Sequence, residues 1–200
     1  MNKRLVIFDF DKTITTKDSF IDFLIFFAGK RKFLQGIIFC FKDLIYYKLK
    51  IISNQRAKET LFTYFLKDLT LNEIITAGDI YAEKRLPNIL NKRALEKINY
   101  HRVNSDRLVI VSASPKYWFE KWATSAGFSD IICTDLEFSS KLFTGKIKGK
   151  NCYGFEKVNK LKKNINIEEF DYIFAYGDSR GDKEIINIAD ESYLKYKRLK

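Results

Sequence analysis

Two aspartates set two residues apart, Asp9 and Asp11, follow directly on the apolar run Leu5-Val6-Ile7-Phe8. Such a run predicts a buried strand that delivers both acids to its C-terminal end. Residues two apart on a strand face the same way, so if the strand persists that far both carboxylates address one site. Acids held so close repel each other unless a cation or a proton intervenes, which makes metal binding or acid–base work the chemistry on offer. Ligands of open α/β sheets bind at the carboxyl ends of strands. The plain alternative is a strand end that merely caps a helix.

Other segments repeat this theme. Residues 107–112 predict a second buried strand ending on the hydroxyl of Ser112, and Pro115 suits the first turn of a helix that Gly127 stops near Ala126. Backbone N–H groups at that turn, around Ala113, together with Ser112, suit phosphate oxygens; a serine there is otherwise an ordinary cap. Lys157 falls in the first turn of a lysine-rich helix, a place the helix dipole disfavours for a cation unless it has a task. Residues 171–176 predict a last buried strand, and Gly177-Asp178-Ser179-Arg180-Gly181-Asp182 brings two more carboxylates to its end. Acids, a hydroxyl and a lysine are what phosphoryl transfer asks for. Carboxylates hold Mg2+, the hydroxyl and lysine hold phosphoryl oxygens, and a carboxylate can serve as nucleophile.

The elements that position these groups alternate strand and helix, with a third strand at 130–134, a hairpin at 137–148 beside the site and a final strand near Tyr193. This predicts an α/β fold, a Rossmann-like three-layer parallel sheet. The alternation is interrupted after the first strand. Residues 16–100 read as all-helical, with pieces at 19–27, 33–52, 53–65, 70–86 and 88–99, caps at Asp18 or Ser19 and at Ser53, and a capping box from Thr70 to Glu73. The expected organisation is a core of residues 1–15 and 101–200 with an inserted helical cap at 16–100, placed to exclude water and select substrate.

Charge and composition narrow the partners. A net charge of +11 on 200 residues points to an anionic partner. The run from Lys30 to Lys58 holds Lys30, Arg31, Lys32, Lys42, Lys48, Lys50, Arg56 and Lys58 against Asp43 alone, interleaved with aromatics. It suits an anionic bilayer or a phosphorylated headgroup, or else a solvated face over a helical core. Four charges within 33–52 argue against a membrane span. Cys40, Cys133 and Cys152 form no zinc or disulfide pattern, and the apolar run after Met1-Asn2-Lys3-Arg4 is too short for secretion, so a cytoplasmic protein is expected, with peripheral contact at the inner face of the membrane as an option. His101 shows no evident triad partner and reads as a connector residue, and Trp118 and Trp122, four apart, read as core.

Asp9-Phe10-Asp11-Lys12-Thr13, Val111-Ser112-Ala113-Ser114, Lys157 and Gly177-Asp178-Ser179-x-x-Asp182 resemble, in order, the four motifs of the haloacid dehalogenase superfamily. The helical insertion resembles the C1 cap of its phosphoserine-phosphatase-like subfamily, IB. The resemblance implies a Mg2+-dependent phosphomonoester hydrolase acting on a small phosphorylated metabolite or a phospholipid headgroup. In it, Asp9 takes the phosphoryl group, Asp11 moves protons, and Ser112, Ala113 and Lys157 bind phosphoryl oxygens. Asp9, the Asp11 carbonyl and Asp178 hold the metal, while Thr13 and Asp182 support. Asp18 and Arg56 are the candidates for substrate selection. Asp18 stands where phosphoserine phosphatases have a glutamate, and the last motif departs from their Gly-Asp-Gly-x-Asn-Asp; both differences argue against phosphoserine itself. The competing readings are a receiver-type phosphoacceptor module, which lacks a matching aspartate on a middle strand here, and a basic nucleic-acid-binding module, for which no recognised motif is present.

Overall fold

A computed structural model describes residues 3–200; Met1 and Asn2, the start of the basic N-terminal stretch, lie outside the described residues. β1 (Arg4–Phe8) is the central strand of a six-stranded sheet that also contains β2 (Arg107–Ser112), β3 (Asp130–Cys133), β6 (Tyr172–Gly177), β7 (Glu191–Leu194) and β8 (Lys197–Arg198). The order is β3-β2-β1-β6-β7-β8, parallel except for β8, a short antiparallel edge strand that the sequence reading did not anticipate. β1 pairs with β2 on one side and β6 on the other, so the chain order reverses beside it, the place where ligands of open α/β sheets bind.

Alternate residues of β1 feed two cores. Val6 and Phe8 pack with the helices of one face, Leu5 and Ile7 with those of the other. The second face is covered by α7 (Phe155–Asn164) and α8 (Lys183–Ile188). The first carries α5 (Lys92–Val103) and α6 (Glu120–Ser125), whose buried Ala94, Ile98 and Ala123 share a cluster with Phe8 and Tyr176. The result is the expected three-layer α/β core.

Between β1 and α5 stand α1 (Ser19–Phe39), α2 (Phe41–Lys48), α3 (Asn54–Leu66) and α4 (Leu71–Lys84). Asp18 caps α1 by accepting from Ile21 N at 3.1 Å, and the Thr70–Glu73 capping box is formed at both of its bonds. The break expected at Gly29 is a bend within α1, where φ of +77° suits glycine. The helix expected at 33–52 is instead split at Cys40 and ends at Lys48. The last helix, expected at 88–99, starts later: a short turn at Leu86–Ile89 precedes α5, which Asn91 caps and which runs to Val103.

The insertion enters and leaves the core side by side. Thr16 N donates to Ile89 O at 2.7 Å and Asn91 N to Ile14 O at 2.9 Å. The helix expected from Pro115 to Ala126 is broken at Phe119, so Trp118 sits in a preceding turn and Trp122 in α6, yet both pack into the same core. The hairpin β4 (Leu136–Ser139) and β5 (Leu142–Ile147) forms as expected, but packs on α3 through Thr63 and Gly145. His101 is buried between the Asp106 carboxylate at 2.7 Å and Tyr176 Oη at 2.9 Å, tying α5 to β6. The three cysteines are free and buried.

Candidate active site

β1 ends at Phe8, one residue before the acids, so strand alternation does not place them. The loop does. Asp9 N donates to Tyr176 O at 2.9 Å, holding Asp9 level with the end of β6. From Phe10 to Ile14 the chain turns tightly, with Lys12 at φ +60°, a left-handed conformation uncommon for a lysine. Thr15 clamps the turn: its Oγ1 accepts from Lys12 N at 3.1 Å and donates to Lys17 O at 2.6 Å. Both carboxylates thereby line one cavity of about 230 Å³, together with Asp18, Lys58, Lys157, Asp178 and Asp182.

Each acid is held differently. Asp9 accepts from Thr13 Oγ1 at 3.2 Å and from Lys157 Nζ at 2.6 Å. Asp11 accepts from the α1 backbone at Ser19 N, 2.6 Å, and from Ser114 Oγ at 2.5 Å. Lys157, 1 % exposed, also donates to Asp182 Oδ1 at 2.6 Å, while the other Asp182 oxygen accepts from Asp178 N at 3.0 Å and Ser179 N at 3.1 Å. Gly177 makes this packing possible: a Cβ there would stand 2.5 Å from Asp182 Cβ.

Burial pushes the Asp9 carboxyl up to about 8, against the pull of Lys157 and with help from Asp182 and Asp11. Burial likewise raises Asp18 and Asp178. Lys157 is also raised: burial alone would lower the ammonium, but the charges of Asp9 and Asp182 overcome it. Oxygens of Asp9, Asp178 and Asp182 come within 4.8 Å of one another. Three carboxylates around one lysine leave an excess of negative charge in an all-oxygen donor set, which is the chemistry of a hard divalent cation.

The profile of the haloacid dehalogenase-like hydrolase family matches residues 6–186. The chain belongs to this family. Protein CicA of Caulobacter vibrioides strain NA1000 / CB15N is 34 % identical over 188 residues, 94 % of this chain and 83 % of that protein. A Bordetella pertussis Tohama I protein of unknown function superimposes with a TM-score of 0.84 at 19 % identity, covering 97 % of this chain and 90 % of that one. A substrate-bound phosphoserine phosphatase does so at 0.68 and 21 %, covering 96 % and 85 %. These two structures share the fold.

Within this haloacid dehalogenase-like chain most of the expected residues converge, with some differences. The carboxylates that cluster are Asp9, Asp178 and Asp182, while the Asp11 carboxylate turns to Ser19 and Ser114. Ser112 is fully buried and its hydroxyl accepts from Ser114 N at 3.0 Å; Ala113, next to it, is the residue that lines the cavity. Arg56 is not brought in: it lines a separate cleft with Phe39, Asp43 and Lys146. The cation that α3 does deliver is Lys58, whose Nζ donates to Ala113 O at 2.9 Å. Burial lowers its pKa against the pull of Asp11 and Asp18. The hairpin contributes no residue to the cavity wall. Sequence reasoning missed the places of Ser114 and Lys58 in the site; the first was quoted only as the end of a motif, the second only as one lysine in a basic run.

Proposed function

We propose that the chain is a phosphomonoester hydrolase that passes its phosphoryl group through Asp9. The observation that carries this reading is the division of labour between the two acids. Asp9 takes Lys157 on one carboxylate oxygen and Thr13 on the other and lines the cavity, which fixes the carboxylate in place to act as nucleophile. Asp11 is fixed by Ser19 N and Ser114 Oγ, so it is oriented to exchange protons rather than to attack. Asp9 attacks phosphorus, the bond from phosphorus to the ester oxygen breaks, and that oxygen takes a proton from Asp11. Asp11 then removes a proton from a water that attacks the aspartyl-phosphate, which releases inorganic phosphate and restores Asp9.

Lys157 offsets charge on the transferring group, and Asp182 keeps the ammonium in place. Asp9, Asp178 and Asp182, with the Asp11 carbonyl, would hold Mg2+, which when bound supplies charge neutralisation at the phosphoryl oxygens. Asp18 and Lys58 face the substrate from the helical side and are the residues we assign to its selection, in a cavity sized for a small phosphorylated metabolite or headgroup. We take the paired segments at Thr15–Thr16 and Ile89–Asn91 as the boundary of the cap, which leaves α5 with the core.

The test is hydrolysis of p-nitrophenyl phosphate. Turnover that requires Mg2+ and disappears in Asp9→Asn supports the reading; metal-independent turnover, or full activity in the variant, contradicts it.

A further inference from the structure

Beyond the bend at Gly29, the chain carries apolar side chains that none of the described residues covers. Leu34, Ile38 and Phe39 stand out from the second half of α1, Ile38 at 68 % and Phe39 at 77 % exposure. No residue of α2 is buried: Phe41, Ile45 and Tyr47 are exposed, and Leu44 and Tyr46 are half-buried. Leu49 and Ile51 continue the exposed run past its end. Single exposed apolar residues are ordinary, whereas a run of them on adjoining helices marks a surface that meets something. Lys30, Arg31, Lys32, Lys42, Lys48 and Lys50, all exposed, are interleaved with them. The one acid in this stretch, Asp43, is turned to Thr60, whose hydroxyl donates to it at 2.9 Å.

We infer that this face docks on an anionic lipid bilayer. Apolar side chains that enter the interface, ringed by cations that meet headgroup phosphates, are the combination such a surface rewards. The contact is peripheral, since no helix among the described residues is long and apolar enough to cross a membrane. A second copy is a poor occupant. It would set the same six cations against each other, with only Asp43 on either side to offset them. A nucleic acid would satisfy the cations but leave Leu34, Ile38, Leu49 and Ile51 in water. Tyr47 belongs to this exposed run and also lines the active-site cavity, so docking sets the cavity mouth beside the headgroup layer.

The experiment is flotation of the full chain with vesicles of phosphatidylcholine alone or mixed with phosphatidylglycerol. The chain floats with the mixed vesicles and not with the neutral ones. Ile38→Glu/Phe41→Glu lowers the partition coefficient by about tenfold or more, and Lys30→Glu/Arg31→Glu/Lys32→Glu does the same. Both variants keep the wild-type melting temperature and p-nitrophenyl phosphate turnover. Failure to float, equal binding to neutral vesicles, or undiminished binding by both variants overturns the inference. So does a dimer dispersed by Ile38→Glu/Phe41→Glu, or duplex DNA that displaces the vesicles and still binds that variant. Flotation requires no turnover, so its outcome is independent of the catalytic reading.

Discussion

The two halves of α1 are built from the same kinds of residue and end in opposite circumstances. Before Gly29, Phe20, Phe23 and Leu24 are buried, and the Phe23 ring stacks on Trp118 at 4.9 Å. After it, Leu34, Ile38 and Phe39 lie in the open. The first half has α3, α4 and the turn at Trp118 opposite it, and it anchors the site through Ser19 N and Asp18. The second half has α3 on one side only, where Phe33 packs on Phe65. Apolar sequence therefore states a demand for cover, and the fold decides whether the chain itself meets it.

The comparison can be broken at several points. The largest effect belongs to the end of α1 that holds Asp11, the acid we assign to proton transfer: Asp11→Asn should lower kcat by about 10²–10⁴-fold with the melting temperature unchanged, read by steady-state kinetics. Phe23→Ala should cost about 3–5 kcal/mol in urea unfolding. Phe39→Ala should stay within about 0.5 kcal/mol in the same assay, and similar losses for the two would abolish the distinction between the halves. A smaller loss, about 1–2 kcal/mol, is expected for Arg85→Ala. It strips the half-exposed guanidinium from the buried Asp22, which accepts from Arg85 Nη2 at 2.7 Å and from Tyr81 Oη at 3.2 Å.

The smallest effect is in pH. Burial holds His101 below its ordinary value despite the Asp106 carboxylate. The unfolded chain therefore takes up the proton first, so this contribution to stability is present above about pH 6.5 and is lost as pH falls below it. The buried acids Asp9, Asp18 and Asp178 work in the opposite sense: burial raises their pKa values, so protonation removes the cost of a buried charge as pH falls. His101→Gln should thus show a shallower decline in melting temperature than the wild type between neutral pH and about 5.5.

Much of the frame was legible because it is local. Apolar runs marked β1, β2 and β6, Thr70 and Glu73 announced α4, and Gly29 and Gly127, both at positive φ, marked a bend and a helix end. The parts that escaped depend on residues far apart in sequence. Ser114 reaches Asp11 across 103 positions and Lys58 reaches Ala113 across 55, and no spacing rule contains either. Arg56 stands away from the cavity that Lys58 lines for a geometrical reason. Two residues apart on a helix lie on nearly opposite sides, so when Lys58 faces the cavity Arg56 faces the cleft beside Lys146. The face of α1 and α2 was legible only as a choice between a bilayer-facing surface and a solvated face over a helical core, since a hydrophobic pattern does not say what the rest of the chain will place against it.

Asp9 is the group we propose is phosphorylated. Acid quench during turnover of a phosphomonoester, followed by peptide mapping, reads this directly. A hydroxylamine-labile phosphoryl group on the peptide containing Asp9, absent from Asp9→Asn, is the predicted result; turnover with the label on another residue, or with that peptide never modified, would contradict it.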